Sequence, residues 1–349
     1  MTKLKVLILS DGVPGHVSQA RGLVDWLSTR YELVCVEQTV ALRVRSLSRL
    51  LLPYMLRINR VGPHIGTVFY DSGMLGSETT RPDLIVSAGG NTSFLNVALA
   101  RKWSVPNIFL GSGRRLHSSE FSAHLTLEPT GQSHNIVMDL VPTATNPSEP
   151  AENGGALRDR LQLKNRQPLY SLVVGGDGAG YSFDETTWSQ IGGLVEGLSK
   201  RDNCRWLVTT SRRTGCAGEQ LLKKALPVSV LADSVWWSES PRKVMNSYLD
   251  ASDAVFVTAD SMTMISEAIA SRKPTTVLKP ADGKPPERHH KALEQFELAG
   301  YCKLWTLGAV MPSLPANANI DNHARDLLLS RLEQQIPSLL RHSLASSAR

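Results

Sequence analysis

Residues 255–278, VFVTADSMTMISEAIASRKPTTVL, carry the strongest structural signal in this chain. The apolar run at the start predicts a buried strand, and the polar residues after it predict a turn. The remainder predicts a helix followed by a second strand. Units of this β-α-β kind build parallel sheets with helices on both faces. The segment therefore predicts an α/β fold.

The start of this predicted helix suits an anion. A helix beginning at Asp260 or Ser261 offers its first backbone N–H groups and its positive dipole end to a phosphate. At 3.6 residues per turn, Asp260, Thr263 and Glu267 share one face. This layout fits a nucleoside diphosphate whose ribose hydroxyls bond to Glu267. The alternative is an ordinary β-α-β unit in which Glu267 is a solvated charge.

Bulk properties limit the class of protein. The 349 residues predict two domains, and the formal net charge of +6 favours anionic partners such as a nucleotide or a membrane surface. The positive residues are scattered and no nucleic-acid-binding signature occurs, so nucleic acid is not an expected partner. Four widely spaced cysteines predict neither a disulfide framework nor structural zinc. Without a signal peptide or a membrane-spanning run, we expect a cytoplasmic protein.

Apolar strands alternate with helices in two halves, which predicts a parallel sheet in each. The first domain is expected at 1–145 and the second at 160–320, joined by a linker rich in Pro, Gly and Asn at 143–157. A long closing helix is predicted at 321–340 and is expected to pack back on the first domain. Other predicted elements are helices at 17–28, 241–249 and 290–299 and a strand at 229–231.

Glycine-bearing turns follow the first strand of each half. They are 10–16, SDGVPGH, and 175–180, GGDGAG; a third turn, AGGN, occupies 88–91. Glycines in such turns let the backbone approach a ligand. None matches the dinucleotide fingerprint in full, and no phosphate-binding Gly-Lys-Ser/Thr loop occurs.

Three motifs together resemble one family. They are SDG-x-PGH-x-x-Q at 10–19, GGD at 175–177 and T-x-DS-x-x-M-x-SE at 258–267. The chain resembles the ELM-type mitochondrial fission family, whose bacterial members are regarded as candidate GT-B glycosyltransferases. It is also distantly similar to the lipid-II-forming N-acetylglucosaminyltransferase. The resemblance implies two facing Rossmann-like domains, with the acceptor on the first, the nucleotide-sugar on the second and a C-terminal crossing helix.

The resemblance also implies roles for particular residues. Glu267 would hold the ribose, the helix start would hold the diphosphate, and a tryptophan in loop 234–240 would pack on the base unless it is a core residue. The candidate residues for the nucleotide and donor sugar are Gly175, Gly176, Asp177, Arg212, Trp237, Asp260, Ser261, Met262, Thr263, Glu267, Arg288 and His289. The candidate acceptor-side residues are Gly12, Gly15, Gly89, Gly90 and Asn91.

His16 is the candidate catalytic base, because a neutral imidazole can take a proton from an acceptor hydroxyl. Alternatively it holds the turn by a hydrogen bond. Asp11 could be the base instead, or could orient the loop through backbone N–H groups. No Asp-x-Asp pair is present to hold a metal ion. We therefore expect no metal, with helix N–H groups and Arg212 or Lys279 meeting the charge of the leaving group.

Residues 42–60 mix arginine with leucine and methionine. This pattern fits a helix on the surface of an anionic membrane and also a helix packed on the sheet, the second being slightly favoured, with Pro53 expected to break or kink it.

These observations predict a metal-independent glycosyltransferase that acts in the interdomain cleft. Its co-substrate would be a nucleotide-sugar, UDP-linked by resemblance, and its acceptor a saccharide or a lipid-linked molecule; no other cofactor is expected. The alternatives are a nucleotide-sugar 2-epimerase of the same fold and a non-catalytic adaptor of the mitochondrial-fission type.

Overall fold

The computed structural model describes residues 3–56, 69–71, 81–113, 115–144, 153–163, 167–310, 313–315 and 323–342. The chain divides into two compact units. Unit 1 comprises Met1–Ala144 together with Asn322–Arg349, and unit 2 comprises Thr145–Asp321.

Unit 1 is built on a parallel six-stranded sheet in the order β2-β1-β5-β6-β7-β8. A short antiparallel pair, β3-β4, lies apart from it. The strands are β1 Leu4–Ser10, β2 Leu33–Thr39, β3 Ala41–Leu42, β4 Tyr70–Asp71, β5 Leu84–Ala88, β6 Asn107–Leu110, β7 Ala123–Thr126 and β8 Asn135–Val137. The helices of its N-terminal part are α1 Pro14–Ser28, α2 Arg45–Met55 and α3 Ser93–Trp103.

Unit 2 repeats this plan with the order β11-β10-β9-β12-β13-β14, again all parallel. The strands are β9 Leu169–Val174, β10 Arg205–Thr210, β11 Leu231–Val235, β12 Ala254–Thr258, β13 Thr275–Lys279 and β14 Lys303–Thr306. The helices are α4 Gly154–Arg160, α5 Glu185–Asp202, α6 Gly215–Ala225, α7 Met245–Ala251, α8 Met262–Ala270 and α9 Glu287–Leu298. Counted within the unit, this is the strand order 3-2-1-4-5-6 of the Rossmann fold.

The central strands of both sheets are buried on both faces, as continuous apolar strands require, whereas the edge strand β2 is largely exposed. In β1, Val6 and Ile8 contribute to one core cluster and Leu7 and Leu9 to another, on opposite faces of the sheet. The predicted α/β class with a Rossmann-like parallel sheet in each half is therefore confirmed.

The C-terminal helix α10, His323–Gln335, belongs to unit 1. Arg30, which follows α1, donates to Glu333 Oε2 over 2.8 Å, and the Tyr31 hydroxyl donates to Glu333 Oε1 over 2.7 Å. The prediction of one helix over 321–340 is wrong in its length. Pro337 cannot donate a backbone hydrogen bond, and Pro337–His342 forms a 3-10 helix instead.

Several other predicted boundaries are corrected. Helix 17–28 begins three residues earlier at Pro14, which suits the first helical position. The strand predicted at 229–231 starts only at Leu231, because Val228–Val230 is a 3-10 turn. The helix predicted at 241–249 is α7, Met245–Ala251. The linker predicted at 143–157 runs into α4, whose start Asn153 caps, and 145–152 lie outside the described residues.

The helix α2 contains Pro53 without being broken, since it ends only two residues later. Ser48, Leu52 and Leu56 are spaced one turn apart and are buried. Leu52 and Leu56 belong to the core cluster beneath the sheet, so α2 packs on the sheet. No helix among the described residues combines the length and the apolar character needed to cross a bilayer.

Candidate functional site

In unit 1, polar side chains gather where the strand order of the sheet reverses, between β1 and β5. These two strands pair in parallel, so the loops after them emerge side by side at the carboxyl edge. Ligands of open α/β sheets bind outside the carboxyl ends of the strands at such a point. The loops carry Asp11 and His16 on one side and Gly89, Gly90 and Asn91 on the other.

Asp11 and His16 form a pair. His16 Nδ1 lies 3.0 Å from Asp11 Oδ1 and 3.1 Å from Asp11 Oδ2. The Asp11 side chain is 3% exposed, and the His16 side chain is 35% exposed. Because α1 begins at Pro14, His16 lies in its first turn and the helix fixes the ring next to the carboxylate.

Further contacts hold Asp11 in place. The backbone N–H of Val13 donates to Asp11 Oδ1 over 3.2 Å, and Asn91 Nδ2 donates to Asp11 Oδ2 over 3.2 Å. The Tyr70 hydroxyl donates to the backbone oxygen of Asn91 over 2.6 Å. Sequence reasoning missed Tyr70, since nothing in the short strand β4 indicates this contact.

Gly89 is required by the imidazole ring. A Cβ at this position would lie 2.1 Å from His16 Nδ1, and the residue has φ +84°. Gly89 is buried and makes room for a side chain of the protein, and its contact with the acceptor stays a prediction. Gly12 is exposed, and Gly15 and Gly90 are half-buried.

The environment of Asp11 favours its ionised form. Burial alone would raise the pKa of the carboxyl group, but the hydrogen bond and charge of His16, with the bonds from Val13 and Asn91, hold the pKa below its usual value. An ionised Asp11 can only accept hydrogen bonds, so His16 donates from Nδ1 and its Nδ1–H tautomer is the one that fits. In neutral imidazole, Nε2 then carries the lone pair.

In unit 2, the corresponding edge lies between β9 and β12, where the strand order also reverses. Gly175 follows β9 directly. Its N–H donates to Thr258 Oγ1 over 2.7 Å, and its oxygen accepts from Ser211 Oγ over 2.6 Å and from Thr214 Oγ1 over 2.5 Å. Hydrogen bonds thus tie the loop to the end of β12 and to the turn after β10.

Gly175 and Gly176 leave room for the protein itself. A Cβ on Gly175 would lie 2.0 Å from Asp260 Oδ2, and one on Gly176 would lie 2.5 Å from the Arg213 backbone oxygen. Both glycines are buried. These close approaches are to Asp260 and Arg213, and the predicted contact of the two glycines with the diphosphate or donor sugar stays a prediction. Asp177 is exposed and its Oδ1 accepts from the Phe183 N–H over 2.8 Å.

Asp260 lies before α8 and its carboxylate is buried. The Thr258 hydroxyl donates to Asp260 Oδ1 over 2.6 Å, and Arg213 Nη2 donates to Asp260 Oδ2. Burial raises the pKa of Asp260 although both partners act to lower it. The prediction that Asp260 shares a helix face with Thr263 and Glu267 is wrong, because the residue lies outside the helix.

Arg213, which sequence reasoning missed in favour of Arg212, makes this ion pair. Arg212 is exposed, whereas the Arg213 side chain reaches the buried carboxylate while remaining 43% exposed. Adjacent arginines in a turn cannot be told apart by pattern, since side-chain direction there depends on local backbone angles.

The start of α8 has the expected geometry for an anion. Ser261 is the N-cap residue, but its side chain makes no capping hydrogen bond. Met262 and Thr263 are the first two residues of the helix and lie at the positive end of its dipole. Ser261, Met262 and Thr263 are half-buried, as is Glu267 in the second turn.

His289 and Arg288 lie inside the first turn of α9, not before the helix as predicted. His289 Nε2 lies 2.7 Å from the Ala259 oxygen, and the Tyr181 ring meets the imidazole edge-on at 5.9 Å between centroids. Burial lowers the pKa of His289, against the opposing effect of the Ala259 bond. The ring therefore favours the neutral state, with Nε2–H donating to Ala259. Arg288 is exposed.

The two tryptophans after β11 differ. Trp236 packs against the core, with Lys223 Nζ 4.7 Å from the ring centroid, whereas Trp237 is 42% exposed. Among the described ranges of the chain, no group of three or more His, Cys, Asp and Glu side chains is arranged to hold a metal ion.

Comparison with known proteins identifies relatives and similar folds. An uncharacterized protein of Rickettsia prowazekii (strain Madrid E) is 21% identical over 312 residues, 79% of this chain and 84% of the relative. Among solved structures, MurG of Acinetobacter baumannii has a TM-score of 0.47 at 13% identity, covering 96% of this chain and 93% of that one. UDP-GlcNAc 2-epimerase from Neisseria meningitidis has a TM-score of 0.48 at 14% identity, covering 95% and 100%.

Both TM-scores lie below 0.5, and these structural likenesses carry no functional argument. The family comparison is decisive because it spans both units. The model of the mitochondrial fission ELM1 family matches residues 14–327. The chain therefore belongs to the mitochondrial fission ELM1 family.

Proposed function

We propose that this protein is a glycosyltransferase that moves a sugar from a nucleoside-diphosphate-sugar to a hydroxyl group of a saccharide or lipid-linked acceptor. The observation that carries the proposal is the Asp11–His16 pair, with His16 Nδ1 3.0 Å from the buried carboxylate. This arrangement supports a general base whose reactive nitrogen is Nε2.

The base acts on the acceptor. His16 Nε2 takes the proton of the acceptor hydroxyl as the oxygen attacks the anomeric carbon and the bond to the diphosphate breaks. The ionised Asp11 stabilises the imidazolium that forms and keeps the ring oriented. The low pKa of Asp11 supports this positioning role over that of a base. Asn91 and Gly89 keep the pair together.

The second unit binds the donor. The start of α8, at the positive end of the helix dipole, receives the diphosphate, and Glu267 in the next turn accepts hydrogen bonds from the ribose hydroxyls. Arg213, partly exposed beside this helix start, offers a cation to the leaving group. We propose that these groups make the transfer independent of a metal ion.

Thermal unfolding against UDP, ADP, GDP, CDP and their common sugar conjugates tests the donor site, with Glu267→Ala as the comparison. A ligand at about one hundred times its dissociation constant adds about 2.7 kcal/mol to the stability. We expect nucleotides with one particular base to raise the melting temperature of the wild type and not that of the variant. If no nucleotide raises it in a folded sample, the proposal fails and the adaptor alternative gains.

A sugar-transfer assay separates the two enzymatic alternatives. Release of free nucleoside diphosphate only when an acceptor is added supports transfer. Conversion of the bound nucleotide-sugar to its 2-epimer, with the diphosphate bond intact, supports the epimerase instead.

We further propose that α2 touches an anionic membrane, in keeping with a lipid-linked acceptor. Leu50, Leu51 and Tyr54 are 50%, 38% and 59% exposed, although Leu52 of the same helix is buried in the core. The sequence from 43 to 60 holds five arginines and no acidic residue. Exposed apolar side chains next to such charge suit a surface of anionic lipid.

Sedimentation with vesicles tests this contact. We expect binding to vesicles of phosphatidylglycerol and phosphatidylcholine, weaker binding to phosphatidylcholine alone, and loss of binding in Leu50→Asp/Leu51→Asp. Leu298→Asp is the matched control, since Leu298 is 88% exposed on α9 in unit 2. Equal sedimentation of the α2 variant and the wild type would contradict the contact.

A further inference from the structure

The buried carboxylate of Glu219 lies in α6, apart from the residues assigned above. Glu219 is 2% exposed. Its Oε1 accepts from Thr210 Oγ1 over 2.5 Å and from the Ser238 N–H over 3.2 Å, and its Oε2 accepts from the Ser238 hydroxyl. A carboxylate is rarely buried to this extent unless it is paired or hydrogen-bonded, as Glu219 is.

These contacts fix one short turn, residues 236–239, which we name the tryptophan turn. Besides Glu219 on Ser238, the Trp237 N–H donates to Thr210 Oγ1 over 2.9 Å. Lys223, one helical turn after Glu219, lies over the Trp236 ring and pairs with Glu239. The helix α6 therefore holds Trp236, Ser238 and Glu239, and the end of β10 holds the Trp237 backbone.

The turn lies at the ligand-binding edge of the sheet in unit 2. It follows β11, and its anchor Thr210 ends the neighbouring strand β10. The next residue, Ser211, donates to the Gly175 oxygen over 2.6 Å. Hydrogen bonds thus connect the backbone of the exposed Trp237 to the end of β10, and the next residue of the chain to the loop after β9.

We infer that Glu219 is a positioning residue that presents Trp237 as a stacking surface for the base of a nucleotide. An indole held at 42% exposure offers a flat apolar face to a purine or pyrimidine ring. Holding the turn before the ligand arrives reduces the entropy lost on binding. The inference rests on the proposed donor site and assigns the base end of it.

A double-mutant cycle tests the inference, with Glu219→Gln and Trp237→Ala as the two changes. Dissociation constants are measured calorimetrically for UDP, ADP, GDP and CDP, with inorganic pyrophosphate as a probe without a base. We expect Trp237→Ala to weaken the preferred nucleotide about 5- to 100-fold and to leave pyrophosphate unchanged. Glu219→Gln should weaken the same nucleotide, and should have no further effect when Trp237 is already alanine.

Ser238→Ala supplies a second variant in case Glu219→Gln does not fold. Ser238 is exposed, and its substitution removes one donor to Glu219 while leaving the carboxylate in place. It should weaken nucleotide binding in the same direction and by a smaller factor. Glu196→Gln on the exposed face of α5 is the control and should change nothing.

The outcomes separate this inference from the proposed function. Nucleotide binding that depends on Glu267 and is unaffected by Trp237→Ala would overturn the inference and leave the donor site standing. Additive losses in the double variant would show that Glu219 does not act through Trp237. Absence of binding by the wild type would overturn both.

Discussion

Each unit places an aspartate at the edge where its strand order reverses, after the first strand in unit 1 and after the fourth in unit 2, and the pKa values of the two shift in opposite directions. Asp11 follows β1 in unit 1, and Asp260 comes two residues after β12 in unit 2, each where the strand order reverses. Asp11 has a lowered pKa beside a half-buried histidine, whereas Asp260 has a raised pKa beside an arginine. The fold supplies the position, and the neighbours decide the chemistry.

The difference arises from burial and from the partner. Burial is the largest influence on both carboxyl groups and raises the pKa of each. At Asp11 the hydrogen bonds outweigh it, while at Asp260 they do not. Asp11 is thus suited to holding the His16 ring as a charged acceptor, and Asp260 to holding together the loops after β9, β10 and β12.

The largest expected effect is on catalysis. His16→Ala should lower the rate of sugar transfer about 10²- to 10⁴-fold without changing nucleotide affinity, because only the base is lost. The rate of nucleoside diphosphate release and calorimetric binding measure the two quantities. His117→Ala, an exposed histidine of unit 1, is the control. An unchanged rate in His16→Ala would mean that the Asp11–His16 pair of unit 1 does not supply the catalytic base.

Glu267→Gln should weaken nucleotide binding about 10- to 150-fold, because the ribose hydroxyls lose a charged acceptor. The dissociation constant measured by calorimetry checks this. Glu294→Gln, an exposed glutamate on α9, should bind as the wild type does. Equal affinity of Glu267→Gln and the wild type would transfer the ribose contact to another residue.

Gly175→Ala should cost about 1–3 kcal/mol of stability, because the new Cβ meets the buried Asp260 carboxylate. Gly89→Ala should disrupt the Asp11–His16 pair, because the new Cβ meets the His16 imidazole. That ring is partly exposed and can move away from the new Cβ. Gly193→Ala in α5 has nothing within 4 Å and should add about 0.5–1 kcal/mol. Urea unfolding measures the stability of all three variants. An unchanged stability of Gly175→Ala would show that the loop after β9 can shift to accommodate the new Cβ.

The smallest effect is the pH dependence, and its sign should differ between the units. With a lowered folded-state pKa, Asp11 contributes stability above its usual value of 3.8, and this contribution is lost as the pH falls below it. Because the folded-state pKa of Asp260 is raised, this residue contributes stability below pH 3.8. The contribution is lost as the pH rises through the folded-state pKa.

Asp11→Asn and Asp260→Asn test these signs by urea unfolding across the acidic range. The free energy that Asp11→Asn loses relative to the wild type should grow as the pH rises. The loss in Asp260→Asn should shrink over the same direction. Parallel curves for the two variants would mean that the two aspartates share one environment.

Much of the site could be predicted from the sequence because its residues are local. Ser261 at the start of a helix, Glu267 in its second turn and the placement of Asp11 and His16 just after the first strand follow from strand-turn-helix patterns, whereas the hydrogen bond between Asp11 and His16 was not predicted. Glu219 could also be detected in the sequence, because its spacing places it on the same face of the helix as the buried Leu222 and Leu226. A charged residue on an apolar stripe indicates a buried partner without naming it.

The sequence by itself determined the two α/β halves and their glycine turns, because hydrophobic periodicity and helix-start chemistry act over a few residues. Only the tertiary structure decided which distant groups meet. It brought Asn91 to Asp11, chose Arg213 over Arg212 for Asp260, and filled the space at Gly89 and Gly175 with side chains of the protein. Those contacts depend on strand order and side-chain direction, which pattern along the chain does not encode.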